Sequence, residues 1–222
     1  MKKLLFALLL LSAPVVGQVK FEMKNASKLY DVKLSVAECE DGMCRGEATF
    51  TLYKKDSKTA FQKFELAETS FMVNDDGSAP VNETLLYDKQ SALNFGDFNF
   101  DGVEDLALCD GANGQYGGPS YQVYLFSPRT KKFVRNAGLT RLGQEYLGMF
   151  QVDKKKKEIT ALSKSGCCWH SMEKYKVVND RPVKIFEEIE DATIPDDERV
   201  KITTRRLVNG RWVKTVKYEK RG

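Results

Sequence analysis

The sequence predicts an all-β fold from three features: alternation at the strand period, turn signals between the alternating stretches, and no sustained helical pattern. Ala48-Thr49-Phe50-Thr51-Leu52-Tyr53, Gln122-Val123-Tyr124-Leu125-Phe126 and Arg211-Trp212-Val213-Lys214-Thr215-Val216-Lys217-Tyr218 alternate or cluster β-branched and aromatic residues. Asp75-Asp76-Gly77, Ser127-Pro128-Arg129, Asn179-Asp180 and Asn209-Gly210 punctuate them. Leu207-Val208-Asn209-Gly210-Arg211-Trp212 is a hairpin signal, because Asn-Gly accepts the positive φ angles of a type I′ turn. The best helical candidate, Leu139 to Phe150, is interrupted by Gly143 and Gly148. Glu187 to Arg199, acidic and holding Pro195, reads as an exposed connection.

At the N-terminus, Lys2 and Lys3 precede the apolar run Leu4 to Leu11, followed by Ser12-Ala13-Pro14-Val15-Val16-Gly17. This is the pattern of a secretory signal peptide, with cleavage expected after Gly17. The run is shorter than the roughly 20 apolar residues a membrane-spanning helix needs. The expected organisation is a signal peptide (1–17), an N-terminal β region (18–80) and a second all-β region (81–222), with a weak boundary near Asp75–Pro80. The expected location is the periplasm or outside the cell. The net charge of +4 falls to +2 once Lys2 and Lys3 are removed. Acidic and basic residues are interspersed, so nucleic acid is not a favoured partner. Lys154-Lys155-Lys156-Lys157 reads as a solvated turn between strands.

Export permits disulfides. Cys39 and Cys44 flank Asp41-Gly42, a hairpin tip, and are expected to pair. Among Cys109, Cys167 and Cys168, either Cys109 joins one of the neighbours or the neighbours join each other. The adjacency of Cys167 and Cys168 suits tetrahedral zinc ligation poorly. His170 is the only histidine, and nothing around Ser165 or Ser171 resembles a nucleophile elbow, so it reads as structural.

The most informative stretch is Asp97-Phe98-Asn99-Phe100-Asp101-Gly102-Val103-Glu104-Asp105. Oxygen side chains on alternate positions of a tightly wound loop point Asp97, Asn99, Asp101 and Asp105 at one centre, and the Val103 carbonyl completes the set. Gly102 permits the sharp turn. Hard oxygen donors in this order suit Ca2+, which takes six to eight of them at about 2.3–2.6 Å. Leu108 stands where a helix-loop-helix hand needs its bidentate Glu, and Leu106-Ala107-Leu108-Cys109 reads as a buried strand. The ion is therefore expected to clip a strand-to-strand turn and to be structural. The following stretch, Asp110 to Tyr121, holds four glycines, Tyr116, Tyr121 and Pro119. A Gly/Tyr/Ser loop on a rigid sheet suits entry into a partner's cleft.

Phe95-Gly96-Asp97-Phe98-Asn99-Phe100-Asp101-Gly102, Asp105-Leu106-Ala107-Leu108 and Tyr116-Gly117-Gly118-Pro119-Ser120-Tyr121 with Val123-Tyr124-Leu125-Phe126 resemble the immunity proteins of bacteria-killing type IV secretion systems. Gly166-Cys167-Cys168-Trp169-His170-Ser171 and the Leu207–Trp212 hairpin fit the same pattern, and the resemblance covers roughly Leu85 onward. It implies a periplasmic protein, similar to inhibitors of invertebrate-type lysozyme, with a β-propeller-like or β-sandwich main domain. It implies Ca2+ held by Asp97, Asn99, Asp101, Val103 and Asp105. It further implies that a Gly-Gly-x-x-Tyr loop, comprising Tyr116, Gly117, Gly118, Ser120 and Tyr121, enters the cleft of a lysozyme-like peptidoglycan hydrolase. The chain itself is then not an enzyme. A calcium-dependent adhesion or carbohydrate-binding module is the alternative.

Overall fold

The computed structural model describes residues 18–84, 90–193 and 198–220; the expected signal peptide lies outside them. Strands β1 (Val19–Met23), β2 (Tyr30–Glu40), β3 (Met43–Lys54) and β4 (Ala60–Met72) form one antiparallel meander. Strands β5 (Leu93–Gly96), β6 (Asp105–Gly111), β7 (Ser120–Ser127) and β8 (Lys132–Arg135) form a second. After helix α1 (Ala137–Gln144) comes a third meander: β9 (Gln151–Asp153), β10 (Glu158–Ser165), β11 (Trp169–Val178), β12 (Arg181–Asp191), β13 (Arg199–Val208) and β14 (Arg211–Lys220). The fold is thus all-β and antiparallel, and among the described residues neither a barrel nor a ring of blades closes. No helix among them is long and apolar enough to cross a membrane.

The first sheet is written by alternation. Tyr30, Val32, Leu34 and Val36 of β2 and Ala48, Phe50 and Leu52 of β3 are buried on one face, while their neighbours face outward. Asp41 and Gly42, at φ 50° and 79°, make the tight turn between β2 and β3. The buried face packs on the second sheet. Leu106, Leu108, Tyr124 and Phe133 belong to the same apolar core as Leu34 and Phe50. Tyr30 stacks on Phe95 at 5.8 Å between ring centres, and Phe64 meets Tyr124 edge-on at 4.8 Å. Backbone ties follow: Gln62 donates to the Phe133 carbonyl and accepts from the Phe133 N–H, both at 2.9 Å.

Every residue of β6 is buried. Leu106 and Leu108 enter the first core, and Ala107 and Cys109 enter a second one. That second core joins Tyr121, Val123 and Leu125 of β7 to Leu139 and Leu142 of α1 and to Ile159, Ala161 and Tyr175 of the third sheet. The second sheet is therefore the middle layer. The chain leaves the first sheet after Met72, and Ala79 and Val81 lie in or against the first core, which also holds Leu93, Leu106 and Leu108.

Two sequence expectations are corrected. A helix does form at Ala137–Gln144: Asn136 caps it, its side chain accepting the Leu139 N–H at 2.9 Å, and Leu139 and Leu142 are buried. The stretch expected to be an exposed connection contributes residues up to Asp191 to β12, with Glu187 buried; its Pro195 lies outside the described residues. The lysine run does form the β9–β10 turn.

Leu108→Ala should destabilise the fold by about 2–5 kcal/mol, the usual effect of emptying a buried leucine site. Urea unfolding should still show one transition, because the layers on both sides of β6 share its residues; separate transitions for the first sheet would contradict the continuous core.

Candidate functional site

The β5–β6 loop winds around its own carboxylates. Asp97 Oδ1 accepts the Asp101 N–H at 3.0 Å and its Oδ2 accepts the Gly102 N–H at 2.9 Å. Asp101 Oδ1 accepts the Val103 N–H at 2.7 Å. Phe100 and Gly102, at φ 64° and 87°, turn the chain sharply. Asp105 is fully buried; its Oδ2 accepts the Phe98 N–H at 2.8 Å and its Oδ1 the Phe126 N–H at 2.9 Å, so it ties the loop to β7. Burial raises its pKa to about 7, against the opposing pull of those two N–H groups and with the help of the nearby Asp101 and Asp97 charges.

Asn99 donates from Nδ2 to Asp101 Oδ2 at 3.1 Å and to Asp180 Oδ1 at 2.8 Å. Asp180 is thereby brought to the loop from the β11–β12 turn. Sequence reasoning missed it because the two residues are 81 positions apart and Asn179-Asp180 signalled only a turn.

The donors of this loop are hard oxygens, and Asp97, Asp101 and Asp105 bring three carboxylates into one short turn, so their chemistry fits Ca2+. In the geometry described, however, those oxygens cap backbone N–H groups. No three His, Cys, Asp or Glu side chains converge as a ready-made cage among the described residues.

The Gly/Tyr loop leaves β6 and returns as β7. Gln115–Gly117 form one tight turn in which the Gly117 N–H donates to the Gly114 carbonyl at 3.2 Å and the Gly118 N–H to the Gln115 carbonyl at 3.1 Å. The turn is fastened from outside. The Gln115 side chain donates to Ser163 Oγ at 2.6 Å and accepts the Lys164 N–H at 3.2 Å, and its backbone N–H donates to the Tyr146 carbonyl at 3.2 Å. Tyr116 is 63% exposed, yet its hydroxyl accepts the Gly166 N–H at 2.5 Å and the Lys164 ammonium lies 4.9 Å from its ring centre. The loop is thus a stiff tip braced against β10, with Gly117 at φ 68° facing open space.

Ser120 and Tyr121 were expected in the inhibitory loop and are not on its surface. Both are fully buried. Ser120 Oγ donates to the Gly111 carbonyl at 3.2 Å, and the Tyr121 hydroxyl donates to the Ser91 carbonyl at 2.8 Å. The physical reason is the strand period: β7 begins at Ser120, and Tyr121, Val123 and Leu125 share the face that packs on α1. Gly143 of α1 comes so close that a Cβ there would meet the Tyr121 carbonyl at 2.9 Å. Within the tip, Tyr116, Gly117 and Gly118 remain accessible or partly so.

Cys39 and Cys44 are disulfide-bonded, opposite each other on β2 and β3. Cys167 and Cys168 are bonded to each other, which leaves Cys109 buried as a free thiol. His170 is exposed on β11, opposite Glu190 of β12, beside a cleft of about 300 Å³ floored by Leu147, Leu162 and Met172.

Layered antiparallel sheets with an acidic turn and a braced Gly/Tyr tip define the class to which this chain can be compared. No protein-family profile matches the chain, and no curated protein does. A solved structure described as "Structure of a Xanthomonas Type IV Secretion System related protein" is similar to it, with a TM-score of 0.66 and 25% sequence identity over 91% of this chain and 94% of that one.

The Asp105 carboxyl gives the loop a pH signature. Its folded pKa of about 7 lies above the value near 3.9 of an unfolded aspartate, so the folded chain binds this proton more tightly. In chelator-treated protein its contribution to stability should therefore be most favourable below about pH 4, fall as pH rises toward 7, and level off above that. Urea midpoints of wild type and Asp105→Asn measured across this range should differ by that trend; parallel profiles would remove Asp105 as its source.

Proposed function

We propose that this chain is an exported immunity protein associated with a type IV secretion system. In this reading it inhibits a lysozyme-like peptidoglycan hydrolase and carries a structural Ca2+ in the Asp97–Asp105 loop. The observation that carries the proposal is the conjunction of whole-chain similarity to a type IV secretion system related protein with a stiff, exposed Tyr116-Gly117-Gly118 tip. The Cys39–Cys44 and Cys167–Cys168 disulfides support an oxidising compartment outside the cytoplasm.

The buried positions change the expected mechanism. Tyr121 and Ser120 hold the tip from below, and the Gly117 and Gly118 N–H groups close its turn, so inhibition rests on occlusion by the outer surface. Lysozyme-like enzymes work with a protonated acid and a second carboxylate facing each other across a cleft. Two glycines let the backbone approach such a cleft closely, and Tyr116 supplies an amphipathic face that is already ordered. An ordered tip loses little conformational freedom on docking, which favours affinity. Asp97, Asn99, Asp101, Asp105 and the Val103 carbonyl would hold the ion, whose positive charge would offset the carboxylates gathered at the start of β6.

In a peptidoglycan-hydrolysis assay, Tyr116→Ala should weaken inhibition by roughly tenfold or more, as loss of an exposed aromatic anchor does, while the loss of its contact with the Gly166 N–H lowers the melting temperature only slightly. Tyr121→Ala, which empties a buried site, should lower the melting temperature far more. Full inhibition by Tyr116→Ala would remove the tip from the mechanism, and release of the complex by free sugar would favour the carbohydrate-binding alternative. Separately, Ca2+ added to chelated protein should raise the melting temperature of wild type but not of Asp97→Ala; an equal response in both would place the ion elsewhere.

A further inference from the structure

The third sheet ends at β14, hydrogen-bonded only to β13 among the described residues. All ten residues of β14 are exposed. They include Trp212, Val213, Val216 and Tyr218, each between 44% and 51% exposed. The β13–β14 ladder runs from Arg199↔Lys220 to Val208↔Arg211 with no register shift, and β14 contains neither proline nor glycine. A long, regular edge strand with apolar side chains offers an unpaired row of backbone donors and acceptors to another strand.

Pairing rules limit what that strand can be if it is β14 of a second copy. The Asn209-Gly210 turn, at φ 51° and 76°, closes on Val208↔Arg211. The closing pair of a two-residue hairpin is hydrogen-bonded, so Arg211, Val213, Thr215, Lys217 and Glu219 turn their backbone groups to β13, while Trp212, Lys214, Val216, Tyr218 and Lys220 turn theirs outward. Opposed residues in an antiparallel ladder must both face the partner strand or both face away. A two-fold axis must therefore pass through a residue that opposes itself. Centring on Lys214 sets Lys214 against itself and Arg211 against Lys217; centring on Lys217 sets lysine against lysine again. Centring on Val216 opposes no acid to a base, and centring on Val213 leaves a short overlap. Centring on Thr215 places Arg211 opposite Glu219 of the second copy and Trp212 opposite Tyr218 of the second copy, each twice by symmetry. Both are stabilising cross-strand combinations.

We infer that the chain forms a two-fold dimer in which β14 pairs antiparallel with β14 of a second copy, centred on Thr215, joining the two third sheets into one. The interface is isologous, and it leaves the Tyr116 tip outside the ladder.

Sedimentation of the purified chain over a concentration series should show a monomer–dimer equilibrium. Thr215→Cys should yield a covalent dimer under oxidation, because self-opposed residues in a non-hydrogen-bonded pair lie within disulfide reach. Val213→Cys alone should not cross-link, but a mixture with Lys217→Cys should. Arg211→Glu should raise the dissociation constant roughly tenfold by setting like charges opposite each other at both ends, and adding Glu219→Arg should restore it. A chain that stays monomeric throughout the series overturns the inference. So does a dimer that Thr215→Cys fails to trap or that Arg211→Glu leaves unchanged.

Discussion

Strand β6 has no face to give to water, and the arrangement of the molecule follows from that. A strand buried on both faces needs an apolar layer on each side, and the chain provides them in order: the first meander before it, α1 and the third meander after it. The same burial makes the strand's first residue demanding. Asp105 enters the interior as a carboxylate, and it is tolerated there because two backbone N–H groups are aimed at its oxygens. One of those donors belongs to the acidic loop and the other to β7. The residue that begins the buried strand thus also sets the shape of the loop before it and the register of the strand beside it.

Much of this was legible from residue order. Strand-period alternation marked β3, β7 and β14, Asn209-Gly210 marked the last hairpin, Cys39 and Cys44 marked a bonded turn, and the continuous apolar run at Leu106–Cys109 marked a strand without a wet face. The errors share a cause: in each, a tertiary neighbour decided what local composition could not. Tyr121 looks like a surface aromatic because glycines precede it, but it falls on the inward parity of β7, and Gly143 opens room for it. Gly143 was read as a helix breaker for the same stretch; its missing side chain is what lets α1 lie against Tyr121. Asp180 reaches the acidic loop only through the β11–β12 hairpin, so no spacing rule could flag it.

The correction at Tyr121 changes what orders the tip. A loop carrying both its tyrosines outward would be ordered mainly by contacts to itself. Here Tyr121 anchors the returning strand in the core, Gln115 binds Ser163 and Lys164, and the Tyr116 hydroxyl takes the Gly166 N–H. The exposed part is short, and its conformation is imposed by groups behind it, the condition under which a small protruding element binds with little loss of entropy.

The acidic loop and the tip are held by one contiguous set of contacts, although they lie at opposite ends of β6. Along the strand the link is direct. A second link runs through Asp180, whose carboxylate accepts from Asn99 and whose carbonyl accepts from Asn136 Nδ2 at 2.8 Å. Asn136 caps α1, and beyond the far end of that helix the Tyr146 carbonyl accepts the Gln115 N–H at the root of the tip. Ordering the loop therefore fixes both the strand and the helix cap from which the tip's supports extend.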